Sequence, residues 1–532
     1  MLESSSQSVT LPAEHDSIDR VAHSAASARR EHSRFRLDQD RAPYAEALQE
    51  FAGREPIQLM VPGHGGTDAG MSTGLADFIG ERALHLDIPM LIDGVDLEAG
   101  SPFDQAVALA ADAWGARRTW FLTNGASQAN RTVALAVRGL GENVLSQRSA
   151  HSSFSDGIVL AGLHPSYVLP NVDTRNGIAH GVSPAALEAA LRDAHDHGRP
   201  ASAVYIVSPS YFGSVADVWT LSEIAHSFGA PLIVDGAWGP HFGFHPRLPE
   251  SPARLGADLV VSSTHKLAGS LTQSAMLHLG DGPFADVLEP LVERAFGMTA
   301  STSSSALLMG SLDVARRSLA TNEDAIGASI VTACRFRELI AADDRMRDVG
   351  ETFGSFDDIV DADLLRVPID LSATGLSAHW VRDQLIGHHG IYFEMSTATT
   401  LVAVIGAGKT PDVDAVHRAL VTVIESDAAA QARSEQLRAE DFPALPAPGR
   451  MRLLPRDGYF AATEVVPAAE AIGRISADAL AAYPPGVPNV LPGEEITAET
   501  VAFLDAVSSS PTGYVRGAVD SSLTRFRVIA ES

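Results

Sequence analysis

From residue 44 onward the chain alternates stretches in which apolar residues recur every three or four positions with short, unbroken apolar runs. The runs at 119–122 (TWFL), 203–207 (AVYIV), 231–234 (PLIV) and 258–261 (DLVV) are brief and bounded by turn residues, so they predict strands buried on both faces. Helical spacing fills the intervals at 127–137, 184–195 and 221–228. This βαβ rhythm predicts an α/β fold built on a mostly parallel sheet. A helical pattern at 325–341 then leads into a smaller alternating unit that includes 359–369 and 400–405, which predicts a second α/β domain. The Pro- and Ala-rich connection FPALPAPGR (442–450) precedes a last segment with strand and helix signals of its own, an α+β domain. The expected division is an irregular leader at 1–40, a large domain at 41–325, a small domain at 326–440 and a C-terminal domain at 450–532.

Composition narrows the function classes. A chain of 532 residues with 45% apolar side chains can bury a large core. Its 39 basic and 66 acidic residues give a net charge of −27, which disfavours nucleic acid or anionic membrane as a partner and suits a cationic small molecule. One cysteine, Cys334, excludes an internal disulfide and a thiolate metal cluster. No His or carboxylate set has metal-ligand spacing, so no metal is expected. The start of the chain lacks a basic segment followed by an apolar run, and no stretch is apolar enough to span a bilayer; the cytoplasm is the expected location.

The chemistry lies where strands end, as parallel sheets require. In DLVVSSTHKLAGSLTQSAMLH (258–278) an apolar strand runs into Ser263, His265 and Lys266. A lysine there is poorly solvated and placed to condense with an aldehyde, while Ser263 and His265 offer donors to a phosphate; alternatively Lys266 is one more surface charge. In PLIVDGAWGPHFGFHP, Asp235 ends a strand, either as a helix cap or as the partner of a protonated pyridine nitrogen, with Ala237 under the ring and Trp238 walling the pocket. His241 reads as a core histidine or one that supports the site from behind, rather than as a catalytic group. WFLTNGASQAN (120–130) is a strand, a glycine turn and a helix start, so the amides of Ala126, Ser127 and Gln128 would converge on an anion beside Gly125. His151, in SQRSAHSSFSDG, either stacks on a ring or is a satisfied buried histidine.

Together PGHGG (62–66), TNGASQAN, AHSS, SPSYFG (208–213), DGAW, STHK and YPPGVPNVLPGE (483–494) resemble the bacterial ornithine/lysine/arginine decarboxylases, in the family's order. The match runs from Pro62 to near the C-terminus and is similar to the shorter members that lack a receiver-like N-terminal wing. The resemblance implies the aspartate-aminotransferase-like, type I pyridoxal-phosphate fold, decarboxylation of arginine, lysine or ornithine to an amine, a place in polyamine biosynthesis, and a homodimer or higher homo-oligomer. It implies that Lys266 carries pyridoxal 5'-phosphate as a Schiff base, Asp235 pairs with the ring nitrogen and His151 stacks on the ring. Ser127, Ser263 and His265 would hold the phosphate, with Gly125 and Ala126 contributing backbone. Lys266 or His265 would return a proton to the substrate. Glu394, in GIYFEMST, matches an acidic residue near the substrate side chain, and Thr302 and Ser303 lie in a segment near the substrate across the family dimer.

The chain departs from the family pattern in four places. The phosphate turn reads GAS where GTS is usual, Ser152 follows the stacking histidine where a lysine is usual, and PGHGG lacks the lysine of PGHKGG. In STSSSALLMGSLD (301–313) Ala306 stands where relatives carry an aromatic, which would widen or reshape the pocket. A pyridoxal-phosphate enzyme of another type, aminotransferase-like or arginine-modifying, would keep the same cofactor residues. A non-catalytic regulator of a decarboxylase is a third reading, and retention of Lys266, Asp235 and His151 argues against it.

Overall fold

The apolar runs become strands of one seven-stranded sheet: β1 (Arg118–Leu122), β2 (Asn143–Gln147), β3 (His164–Val168), β4 (Ala203–Val207), β5 (Leu232–Asp235), β6 (Leu259–Ser262) and β7 (Ala275–Leu279). The computed structural model describes residues 38–434, 445–483, 487–509 and 514–531, so most of the expected leader and part of the 442–450 connection lie outside the described residues. The strand order is β1-β7-β6-β5-β4-β2-β3. Strands β2 to β6 run parallel, and β7 lies antiparallel to both β6 and β1. The sheet is therefore mostly parallel, as the βαβ rhythm predicts.

Alternate side chains of each central strand serve opposite faces, which is why these strands read as unbroken apolar runs. Ile233 of β5 and Tyr205 of β4 enter a cluster with Val133, Phe154, Ile158 and Leu288. Their neighbours Leu232, Val234, Val204 and Ile206 enter another with Leu187, Leu191 and Leu221. The helices Gly125–Val137, Ser152–Ala161 and Ala285–Thr299 cover the first face, and Pro184–Asp196 and Val218–Ser227 the second. Two of the predicted helices start earlier than their apolar spacing shows, at Gly125 and Val218, directly after Asn124 and Asp217 at the N-cap positions.

A second sheet is antiparallel and four-stranded, made of Arg347–Asp348, Arg366–Asp370, Thr400–Val404 and Met395–Ser396. The stretch 359–369 does not enter it whole. Asp361–Ala362 pairs instead with Ser214–Val215 beyond β4, and only Arg366–Asp370 joins the second sheet. The break falls at buried Asp363, whose Oδ1 accepts from Leu365 N at 3.0 Å and pairs with His241 Nε2 at 2.9 Å. His241 is thus the core histidine the sequence indicates. Toward the C-terminus, Thr463–Pro467 pairs with Arg525–Ile529, and Leu480–Tyr483 pairs with Pro488–Val490 and Tyr514–Arg516.

One buried ion pair ties the first described helix to the sheet-bearing body. Arg316 and Asp313 have fully buried side chains and meet at 2.7 Å. Arg316 also donates to Gln39 O at 2.8 Å and to Arg41 O. Asp313 Oδ2 accepts from Tyr44 N at 3.0 Å and Ala45 N at 3.3 Å, capping the helix Pro43–Gly53, whose own N-cap position, Ala42, has no side chain for the task. Removing one partner of a buried pair leaves the other charge without compensation. Asp313→Ala is expected to lower unfolding stability by about 3 kcal/mol, read as a lower urea midpoint at unchanged slope; a midpoint like that of the parent protein would refute the clamp.

Candidate active site

Asp235 closes β5 with its carboxylate almost wholly buried, at 4% exposure. A carboxylate so placed must have donors, and three supply it. Tyr205 OH donates to Oδ2 at 2.6 Å, Asn130 Nδ2 to Oδ2 at 3.1 Å, and Ala237 N to Oδ1 at 3.1 Å. Tyr205 is stacked on Phe154 with ring centroids 3.6 Å apart, and burial beside Asp235 pushes its hydroxyl well above the ordinary tyrosine range, so it stays a donor. Asn130 Nδ2 also reaches Ser153 Oγ at 3.0 Å, and that hydroxyl meets His151 Nδ1 at 2.8 Å. A continuous chain of hydrogen bonds therefore joins His151 to Asp235.

His151 is the N-cap of the helix Ser152–Ala161, its Nδ1 accepting from Ser153 N at 3.2 Å. With Nδ1 engaged as an acceptor, the ring proton sits on Nε2. The ring is open to the cleft yet hemmed in by protein. Partial desolvation pulls its pKa below the ordinary histidine value, with Lys266 and Arg516 acting in the same direction against Asp235 and Asp156. His151 thus faces the cleft as a neutral imidazole.

Lys266 stands in the short helix Thr264–Leu267 directly after β6. Its Nζ lies 3.6 Å from the centroid of the Trp238 ring, and the Arg366 guanidinium lies 3.9 Å from the same centroid. Burial lowers the Lys266 pKa to about 8; Arg366 adds to that, while Asp235 and Glu394 oppose it. Arg366 is itself buried, which brings its pKa down to about 10 despite Asp363 and Glu394. Glu394 is exposed, its amide bonded to Val402 O at 3.0 Å, and its carboxylate acts on both cations.

A helix N-terminus supplies the site's anion-facing end. Gly125 takes φ of 72°, which a residue with Cβ rarely adopts, and donates its amide to Gln273 O at 2.7 Å. The Gln128 amide is already bonded to Asn124 O at 3.3 Å, so only Ala126 and Ser127 of the three expected amides remain directed outward. The correction follows from the helix starting at Gly125, which makes Gln128 the first residue with an acceptor behind it. Ser263 caps the Lys266 turn, accepting the Lys266 amide at its carbonyl. His265 Nδ1 is held by Ser274 O at 2.9 Å, which puts a proton there and leaves Nε2 as the second nitrogen.

Not every expected residue joins this group. Thr302 and Ser303 are exposed on the loop before the helix Ala306–Thr321, and the Ser303 amide bonds within that loop to Ser301 Oγ at 3.1 Å. Ala306 is buried and lines a cavity of about 310 Å³ with Leu48, Leu86, Leu271 and Gly310, so the space left by the missing aromatic opens against the helix Pro43–Gly53. Conversely, Asn130, Ser153, Tyr205 and Arg366 escape sequence reasoning. The available signals were an Asn within an otherwise apolar helix face and a tyrosine hydroxyl inside the run AVYIV.

The residues fit pyridoxal phosphate. Asp235 is a desolvated carboxylate with its orientation fixed by three donors, Lys266 is an amine with a lowered pKa beside it, and two outward amides open the helix Gly125–Val137. At the same wall Trp238 Nε1 and Arg366 Nη2 are buried donors with no acceptor among the described residues.

Comparison with known proteins agrees with this geometry. Residues 42–363 match the major domain of the Orn/Lys/Arg decarboxylases and residues 451–513 their C-terminal domain. The chain is 35% identical over 501 residues to the arginine decarboxylase of Bacillus subtilis (strain 168), covering 93% of this chain and 99% of that one. It is 33% identical over 508 residues to the arginine decarboxylase of Bacillus anthracis, with 93% and 99% covered. Among solved structures, the lysine decarboxylase of Francisella novicida superposes with a TM-score of 0.77 at 19% identity over 92% of this chain and 81% of that one. The constitutive lysine decarboxylase of E. coli gives 0.74 at 20% identity, with 93% and 82% covered. These superpositions show the expected type I fold, and with residues 42–363 and 451–513 both matched, the chain belongs to the Orn/Lys/Arg decarboxylase family.

Proposed function

We propose that this decarboxylase of basic amino acids acts on arginine, with pyridoxal phosphate as cofactor, in the cytoplasm and as a homodimer. The observation that carries the reading is the pairing of Lys266, an amine whose pKa is brought to about 8, with the triply bonded carboxylate of Asp235 at the ends of neighbouring strands. Arginine is favoured because the arginine decarboxylases among its relatives are 33–35% identical to it, whereas the lysine decarboxylases are 24–27% identical.

Bound pyridoxal phosphate supplies an aldehyde carbon for amines and a pyridinium ring that accepts the electron pair left by departing carbon dioxide. Lys266 would hold the aldehyde carbon, Asp235 the ring nitrogen and His151 the ring face; the amides of Ala126 and Ser127, brought outward by the turn at Gly125, with the side chains of Ser127, Ser263 and His265, would hold the phosphate. Asp235, held as an acceptor by the three donors on its oxygens, would keep a proton on the pyridine nitrogen. Ala237 fixes the Asp235 backbone turn and Trp238 walls the Lys266 amine with its π-face. Lys266 Nζ would be placed to hold a proton for the substrate Cα, with His265 as a second candidate. Glu394 would face the cationic end of the substrate. Thr302 and Ser303 would reach substrate from the partner subunit rather than within one chain.

The homodimer is supported by apolar side chains left in solvent along one stretch. Ile57, Leu59, Met71 and Phe78 are each more than 80% exposed, far beyond what a monomer's surface needs. Sedimentation of the holoenzyme at micromolar concentration is expected to give twice the chain mass; a single-chain mass refutes the dimer.

Two further outcomes follow from the site. Incubation with arginine, lysine and ornithine separately, with products identified by mass spectrometry, is expected to yield the amine of arginine fastest; preference for lysine or ornithine would reassign the substrate, and no amine from any of them would sink the decarboxylase reading. In cofactor-free protein only the neutral Lys266 amine attacks an aldehyde. The rate of cofactor capture should therefore rise through about pH 8, well below the ordinary lysine value of 10.5. Arg366→Leu should move that rise to higher pH, and a rise near the ordinary value in the parent protein would show that Lys266 is not desolvated as described.

A further inference from the structure

The loop that carries His151 is gripped from outside the sheet-bearing body. Arg148, three residues before His151, directly follows β2, its amide bonded to Val168 O at 2.8 Å. Its guanidinium is fully buried and forms a two-pronged pair with Glu494, Nη1 to Oε1 at 2.5 Å and Nη2 to Oε2 at 2.7 Å. Nε donates to Pro488 O at 2.8 Å and Nη2 also to Asn489 O at 3.3 Å, while the group lies 4.7 Å from the Tyr167 ring centroid. Glu494 Oε2 is held in turn by Leu491 N at 2.9 Å.

Two other C-terminal elements bear on His151 or on the helix it caps. The helix Pro455–Phe460 packs on the helix Ser152–Ala161, which His151 caps, and Arg456 Nη1 lies 3.2 Å from where a Cβ at Gly162 would sit. Arg516, in the strand Tyr514–Arg516, acts electrostatically on His151. A buried ion pair is a poor way to gain stability, because well-packed apolar residues of similar volume do as well or better. What it does provide is geometry: a rigid fork matched to a carboxylate fixes distance and direction together.

We propose that the C-terminal segment positions His151 through the Arg148–Glu494 pair, so that both are positioning residues for the ring-facing imidazole. This rests on the reading of His151 given above. The pair fixes the end of β2, only two residues intervene before His151, and the hydrogen-bonded chain through Ser153 and Asn130 carries that placement on to Asp235.

The test uses the full-length holoenzyme and reads the visible circular dichroism of bound pyridoxal phosphate, its dissociation constant, and kcat and KM separately. Glu494→Gln is expected to weaken cofactor binding about tenfold and diminish the visible dichroism, with kcat falling while KM stays within about twofold. Arg148→Lys, which keeps the charge and loses the fork, should show the same effects. Arg474→Gln, which breaks an exposed pair with Glu464 elsewhere in the C-terminal segment, should leave all four unchanged. Should Glu494→Gln fail to fold, Tyr167→Leu removes the ring beside the guanidinium and is expected to shift the same readouts by about threefold. His151→Leu separates the two hypotheses. If it leaves dichroism and affinity unchanged, the reading of His151 fails; if it alters both while the Arg148 and Glu494 variants lower only the melting temperature, the pair is purely structural and the proposal is overturned.

Discussion

Everything at the centre of this protein is arranged round one buried carboxylate. Asp235 sits at the end of a strand whose other residues are wholly apolar, a position in which an isolated charge would be costly. Tyr205, Asn130 and the Ala237 amide compensate it, and each comes from a different element: β4, the helix Gly125–Val137 and the turn after β5. The carboxylate thus staples two neighbouring strands and a covering helix at the edge where the site opens. Because Tyr205 also lies within the apolar cluster on that face and its hydroxyl bonds Asn130 Oδ1 at 2.9 Å, packing and charge compensation constrain the same side chain.

The cations of the site are held by a contrasting device. Lys266 and Arg366 both lie against the Trp238 ring, whose π-face offers weak stabilisation without accepting a full hydrogen bond. Two cations close to one ring repel one another, and that repulsion, added to burial, keeps the Lys266 amine partly neutral at working pH. A carboxylate in the place of the indole would hold Lys266 as an ammonium and remove its nucleophilicity. The site therefore pins its acid with hydrogen bonds and leaves its amine loosely held, in keeping with what each is needed for.

Much of this was legible in the sequence because the parallel sheet writes itself plainly. Apolar runs such as AVYIV and LIVD mark strands buried on both faces, and the chemistry-bearing residues follow them directly. Asp235 closes one such strand, and Lys266 and His151 lie shortly beyond two others. The segment 359–369 could not be divided correctly, since its turn depends on Asp363 finding His241, a partner more than a hundred positions away. Arg366 was invisible for a similar reason: its effect on Lys266 exists only once the second sheet is laid beside the first. The Gln128 amide was assigned outward because the helical pattern was read from Ser127, whereas the helix opens at Gly125, two positions earlier.

The same contrast between local and distant determinants explains why His151 needs support that Asp235 does not. Asp235 is inside a sheet and inherits the rigidity of its neighbours on both sides. His151 lies beyond the end of its strand, on a turn facing the open cleft, where the backbone has no ladder to hold it. Its own helix cap fixes the ring's Nδ1 but not the position of the turn as a whole. A second anchor must come from elsewhere in the chain. The region beyond residue 450 supplies one: the turn carrying Glu494 grips Arg148, the helix Pro455–Phe460 packs on the helix that His151 caps, and Arg516 acts electrostatically on His151 itself.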